Sequence, residues 1–147
     1  MKETTEVLEL ILKIFALIGG ISTAIIFIRK WWKEYTVKMN HFFARTWSNE
    51  GDIGYSPENY IHIDITVDHY DIGGEVRLYE REEGDVSLIF LISGKRYFSK
   101  AFCEILKVRD GKISNHGSVI LIKVGKRLKW RLKKGNPDLF PKEEVLF

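Results

Sequence analysis

Ten side chains in this sequence are of the types that a ligand bearing phosphates and aromatic bases requires. Tyr60, Tyr79, Tyr97, Trp47 and Trp130 interleave along the chain with Arg45, Arg77, Arg96, Lys123 and Arg131. Cations hold phosphate oxygens through charge-assisted hydrogen bonds, and aromatic planes give bases a surface to stack on. Drawn together at one mouth of a folded domain, the set would bind an anionic nucleotide. Each member also has an ordinary use, because aromatics fill small barrels and cations face water.

One enzyme-like constellation is present. His62-x-Asp64, then His116, then Arg127 follow the His-x-Asp…His…Arg order of iron- and 2-oxoglutarate-dependent oxygenases. Two histidines and a carboxylate can hold ferrous iron with positions left open. His116, however, lies in the turn-like Ser114-Asn115-His116-Gly117, and the domain is short for that double-stranded helix. Solvated strand residues account for the pattern better. Asp68-His69-Tyr70-Asp71 reads as a turn rather than a metal cluster. The sequence contains no P-loop, GxSxG, HExxH or Cys-x-x-Cys. The reading is a binding protein and not an enzyme, with no metal and no cofactor. The one cysteine, Cys103, forms no intrachain disulfide, which fits a cytoplasmic domain. It sits in an apolar, strand-like run and reads as a packed, inert thiol.

The elements that must position these residues are strands. From His41 onward the apolar period is two. Phe42–Ser48 reads as a first strand, broken by Asn49, Gly51 and Gly54. In Tyr60–Val67, Ile61, Ile63, Ile65 and Val67 share one face, with Tyr60, His62, Asp64 and Thr66 on the other. Asp71, Gly73 and Gly74 read as a turn, Glu75–Arg81 as a strand, and Glu82-Glu83-Gly84-Asp85 as a further turn. Val86–Ile92 is apolar on both faces. After Ser93-Gly94, Arg96–Val108 reads as one long, bent strand. Asp110-Gly111 is a hairpin signal, and Gly117 within Ile113–Val124 marks a bulge. Leu128–Lys133 alternates cleanly, Gly135-Asn136-Pro137 stops it, and Glu144–Phe147 closes the set. About eight short strands with hairpin spacing make a mainly β fold, a small antiparallel barrel preceded by one transmembrane helix. Closure removes exposed strand edges, and eight strands enclose a packed core or one small ligand.

That helix is the stretch Val7–Ile28, VLELILKIFALIGGISTAIIFI, 22 residues long. At ~1.5 Å per residue it reaches about 33 Å, enough for a hydrocarbon core of ~30 Å. Arg29, Lys30, Trp31, Trp32 and Lys33 follow at once, placing indoles and cations where a helix leaves lipid. The cations of this C-terminal flank, with Lys38, put residues 40–147 in the cytoplasm by the positive-inside bias, against an acidic N-terminal flank of Glu3, Glu6 and Glu9. That acidic flank argues against a cleaved signal peptide. Glu9 and Lys13 are spaced to pair, and near one end they snorkel. Ala16, Gly20 and Ala24 form a small-residue stripe through which helices can approach closely in lipid. The domain boundaries are 1–39 for the anchor and juxtamembrane segment and 40–147 for the barrel.

A net charge of +3 conceals a division. Residues 41–94 carry three Lys+Arg against eleven Asp+Glu, a balance of −8, and residues 95–147 carry fourteen against five, a balance of +9. A basic half in a membrane-tethered domain suggests anionic partners, whether lipid headgroups, nucleic acid or nucleotides.

Two stretches carry a family resemblance. Arg45-Thr46-Trp47-Ser48-Asn49-Glu50-Gly51-Asp52-Ile53 opens the β domain. Trp130-Arg131-Leu132-Lys133-Lys134-Gly135-Asn136-Pro137-Asp138-Leu139-Phe140-Pro141 closes it, with Tyr60-Ile61-His62-Ile63-Asp64-Ile65 between. Over residues 42–147 the chain resembles the membrane effectors of CBASS anti-phage systems, which join N-terminal transmembrane helices to a minimal β-barrel that senses a cyclic dinucleotide made by a CD-NTase. The resemblance implies an effector of the bacterial inner membrane, single-pass here, with its barrel in the cytoplasm. It implies a cyclic dinucleotide or related cyclic oligonucleotide as ligand, homo-oligomerisation, and disruption of the bilayer leading to cell death. A polymeric nucleic acid is not expected. The family typically has two transmembrane helices where this chain has one. A membrane-tethered, lipocalin-like carrier for an apolar ligand is the alternative; its lumen would be apolar where a nucleotide sensor's is cationic.

Overall fold

A computed structural model describes residues 2–50, 59–80 and 86–147. The chain forms two compact units, residues 1–37 and 38–147.

The first unit is helical. Helix α1, Lys2–Phe43, contains no proline to break it. Its apolar side chains face outward, with Phe15, Leu17, Ile26 and Phe27 all about two-thirds exposed. Mean hydropathy in the span reaches 2.3 and none of that window is covered by protein. A helix apolar all round needs an apolar surround, and this one is long and apolar enough to cross a membrane. Glu9 and Lys13 pair at 3.8 Å. The Trp31 and Tyr35 rings stack with centroids 5.6 Å apart, and Trp32 lies against both.

In the second unit the last turns of α1 belong to the barrel. Met39, Phe42 and Phe43 are buried at i, i+3 and i+4, one face of a helix. This corrects the strand expected over Phe42–Ser48. The two phenylalanines are buried as the end of α1, and only Thr46–Ser48 remain as β1.

Strands β2 (Asn59–Asp68), β3 (Asp71–Glu80), β4 (Val86–Tyr97), β5 (Lys100–Arg109), β6 (Lys112–Val124), β7 (Arg127–Gly135) and β8 (Glu143–Leu146) complete an antiparallel meander in sequence order. Ser48 and Phe147 exchange both backbone hydrogen bonds, at 3.3 and 2.8 Å, and so bring β1 to β8. The result is the mainly β, eight-stranded, nearly closed antiparallel barrel that the alternation predicts.

Two expected boundaries moved. Gly73 and Gly74 lie inside β3, and the turn falls at His69-Tyr70. Ser93-Gly94 lies inside β4, and the long strand expected over Arg96–Val108 is split by a turn at Phe98-Ser99. These glycines serve close strand approach rather than turns. A Cβ on Gly74 would stand 2.1 Å from the Asp64 carbonyl oxygen, and one on Gly94 2.0 Å from that of Phe102. Asp110 and Gly111 do form the expected hairpin turn, both at positive φ (53° and 72°), as a type I′ turn requires. The expected turn over residues 82–85 lies outside the described residues.

The inward faces pack as one cluster that includes Phe43, Trp47, Ile61, Ile63, Val76, Phe90, Leu121, Trp130 and Phe140. These described side chains form the barrel's hydrophobic core. The meander gives the barrel two ends. Arg45, Phe147 and the turns at 69–70, 98–99 and 125–126 share the α1 end, tied together by Arg45 Nη2 donating to the Lys126 carbonyl (3.5 Å), Lys123 N to Ser99 O (2.8 Å) and Arg96 N to Tyr70 O (2.7 Å). The Asp110-Gly111 turn and the 136–142 connection lie at the far end.

Candidate functional site

The ten candidate residues fall into three places. At the α1 end, the Arg45 guanidinium lies over the Trp47 ring, 3.9 Å from its centroid. Trp47 itself is buried and donates from Nε1 to the Phe43 carbonyl at 3.3 Å. Arg96 is 1 % exposed; its Nε and Nη2 donate to Asn40 Oδ1 at 3.1 and 2.8 Å, and its Nη1 donates to Phe98 O at 3.0 Å. Lys123 Nζ donates to Gly125 O at 2.5 Å and lies over the Phe42 ring. Tyr97 is exposed and meets Phe102 edge-on. Here Trp47 and Arg96 are core.

On the outer face of β2 and β3, Tyr60 and Tyr79 are cross-strand partners. Arg77 pairs with Glu75 and, at 3.3 Å, with Asp64. The hydrogen bond to Glu75 chiefly raises its pKa above the usual arginine value. His62 Nε2 lies 2.8 Å from Glu50, and Asp64 accepts from Thr46 Oγ1 at 2.5 Å. His116 sits on β6 beside Ser114 and Phe90. The oxygenase-like order therefore does not converge, and among the described residues no three metal-ligating side chains do. Cys103 is buried, and burial pushes its thiol up to about 12.

The third place is an open groove of about 490 Å³ at the far end, lined by Arg131, Leu132, Lys133, Lys134, Gly135, Pro137, Lys142 and Glu143. Its size falls within the range of ligand clefts. Glu143 accepts from Arg131 Nε at 2.6 Å and lies 2.9 Å from Lys129 Nζ. The bond from Lys129, then that from Arg131, holds its carboxyl below the usual range. Lys133, Lys134 and Lys142 have no ion-pair partner among the described residues and leave the groove strongly cationic.

The groove is held by backbone. Asn136 O accepts from Leu139 N and Phe140 N (3.2 and 3.0 Å), and Asn136 Oδ1 accepts from Asp138 N (3.0 Å). Buried Phe140 lies 6.3 Å from the Trp130 ring, whose Nε1 donates to Pro141 O at 2.9 Å. Leu132 N donates to Lys142 O at 2.8 Å, fixing Lys142 beside β7. So Trp130 positions the groove's wall from the core, and Arg131 alone of the ten lines it. Sequence reasoning passed over Lys133, Lys134 and Lys142. The signal for the first two was their adjacency just before the strand-ending Gly135. Lys142 reaches the groove only through the β7–β8 connection.

No known protein family, characterised protein or solved structure matches this chain. What the groove offers chemically is four cations and one carboxylate around Leu132 and Pro137. That set suits a compact polyanion with an apolar part.

Proposed function

We propose that this protein is a membrane-anchored effector of bacterial anti-phage defence, whose barrel binds a cyclic dinucleotide or related cyclic oligonucleotide at the β7–β8 groove. The observation that carries this reading is a cationic, backbone-braced groove on a barrel joined to an apolar helix. Lys133, Lys134, Lys142 and Arg131 hold the phosphates, and Leu132 and Pro137 cover a base. The helix crosses the inner membrane once with the barrel in the cytoplasm. The protein catalyses no reaction and uses no cofactor. Ligand binding acts by favouring one homo-oligomeric arrangement over another, and the assembled helices disrupt the bilayer.

Isothermal titration of the full chain in nanodiscs against a panel of cyclic di- and trinucleotides tests the site. At least one member should bind. Lys133→Ala and Lys134→Ala should each weaken it about tenfold, the lower edge for a charge-assisted hydrogen bond of ~1.5 kcal/mol. Arg77→Ala, on the β2–β3 face, should leave affinity unchanged. Binding that ignores both lysine changes would move the ligand elsewhere, and no binding by the folded chain would sink the sensor reading.

The anchor makes a second prediction. Apolar surface alone does not associate helices in lipid, whereas close backbone approach does. Ala16, Gly20 and Ala24 recur every four residues on α1, and nothing stands within 4 Å of a Cβ built on Gly20. Gly20→Leu should insert and bind nucleotide normally, yet fail to crosslink into large assemblies or to depolarise cells. Full depolarisation at matched expression would shift assembly to the barrel surface.

A further inference from the structure

We propose that the α1 end of the barrel is a second lipid-contact site, with Tyr97 and Phe98 dipping into the headgroup layer of the bilayer and Lys100, Lys126 and Arg127 on its anionic lipids. The inference rests on the reading of α1 as a membrane anchor. It adds a surface that the anchor does not require.

The first observation is where the turns lie. The β4–β5 and β6–β7 turns come to the barrel end at which α1 joins β1, as the contacts of Ser99 with Lys123 and of Arg45 with Lys126 record. Only nine residues separate Ile28, the last of the apolar stretch, from Lys38, the first of the barrel unit. At ~3.5 Å per residue the covalent chain keeps this end within about 35 Å of the hydrocarbon edge. The tether thus supplies a high local concentration of one surface, that of the membrane.

The second observation is what the turns display. Tyr97 and Phe98 are 57 % and 62 % exposed at the tip of a hairpin. A turn tip with positive φ is normally glycine or asparagine, but Phe98 holds φ +52°. A bulky residue in that region is uncommon, and such outliers cluster where function needs them. Arg96, buried beneath, donates to the Phe98 carbonyl at 3.0 Å and fixes the turn in this form.

Third, the surround is basic. Lys100 follows the tip, and Lys126 and Arg127 lie at the β6–β7 turn of the same barrel end, Arg127 over the Phe147 ring; all three are exposed. The acids of the neighbouring turn are Asp68, 2.7 Å from His69, and Asp71, 4.0 Å from Lys95. Aromatics that carry an apolar body into the interface, ringed by cations for anionic lipid, are the composition of an interfacial contact, which buries its apolar part ~5–10 Å deep. The far end, with its cationic groove, is left open to soluble ligand.

The test uses the full chain in nanodiscs, spin-labelled at one introduced cysteine. Native Cys103 is buried and does not compete for label. Ser99→Cys reports the tip with both aromatics intact, Ile113→Cys the opposite end, and Ile25→Cys the span. Oxygen over aqueous-nickel accessibility is measured in anionic and in zwitterionic bilayers. In anionic discs the label at 99 should show a several-fold higher ratio than that at 113, and Phe98→Ala should return it to the level of 113. Zwitterionic discs should give an intermediate value. Equal ratios at 99 and 113, with 25 in lipid, would overturn the proposal while sparing the anchor. A label at 99 that is immobilised but insensitive to oxygen and to lipid charge would mean a protein contact, and would overturn it too. An aqueous signal at 25 would remove the anchor reading itself.

Discussion

Gly117→Ala should damage the barrel severely for a change of one methyl group. Gly117 holds φ +153° and pairs across β6–β7 with Gly135, itself at +141°. The two strands approach so closely here that a Cβ on Gly117 would stand 2.1 Å from the Lys134 carbonyl oxygen. The obstacle is backbone, so no side-chain rotation relieves it. Against β5 the register skips His116 beside Gly117, the bulge expected there, and across β6–β7 the extra residue is Lys133 on β7. Conformational strain of ~1–3 kcal/mol adds to overpacking of ~1–3 kcal/mol, giving about 4 kcal/mol. For a domain of this size that is roughly a 20 °C loss in Tm, readable by circular dichroism of the β signal. Gly111→Ala is the control for backbone strain without overpacking, since φ there is +72° and a Cβ meets nothing within 4 Å. Equal, small losses at both positions would show that the close approach relaxes freely.

The strands were legible in the sequence because each inward face must be apolar. Ile61, Ile63 and Ile65 alternate with His62, Asp64 and Thr66, and the first three are buried as that pattern requires. The turns were less legible, because glycine has two uses in a small barrel. At Asp110-Gly111 it permits a positive φ. At Gly74 and Gly94 it permits strands to touch, and composition alone does not separate these cases. The junction at Phe42-Phe43 is ambiguous for a related reason: two adjacent aromatics suit a strand or the end of a helix, and here both pack into the core from the end of α1.

The candidate site was less legible than the fold. Trp47, Trp130 and Arg96 have the residue types of ligand contacts and are buried in the core. Their polar atoms bond to Phe43, Pro141, Phe98 and Asn40. Such partners depend on which turns share an end of the barrel, information that no local window contains. The same is true of the groove, where Lys142 meets Lys133 and Lys134 only because Phe140 and Trp130 fold the connection back.

Arg96 provides the second large effect. A guanidinium almost fully removed from water must be paired, because a buried charge left without partners is strongly destabilising. Here Arg96 on β4 meets Asn40 in the last turns of α1, 56 residues away in sequence. Arg96→Met keeps the apolar stem and removes the arginine donors from two part-buried bonds, to Asn40 Oδ1 and the Phe98 carbonyl, toward the lower part of ~1–3 kcal/mol each. We expect a loss of about 3 kcal/mol, or roughly 15 °C in Tm. Asn40→Leu leaves the charge with its strongest neutral acceptor gone, and should cost a similar amount. The pair is not additive, however. With both groups replaced, neither a charge nor the amide oxygen is left wanting a partner at this contact, so the double variant should recover part of the loss, a coupling of ~0.5–3 kcal/mol. Chemical denaturation of the four chains gives the cycle directly. Strict additivity would mean that Arg96 and Asn40 act through separate contacts and that the arginine does not hold the end of α1 to the barrel.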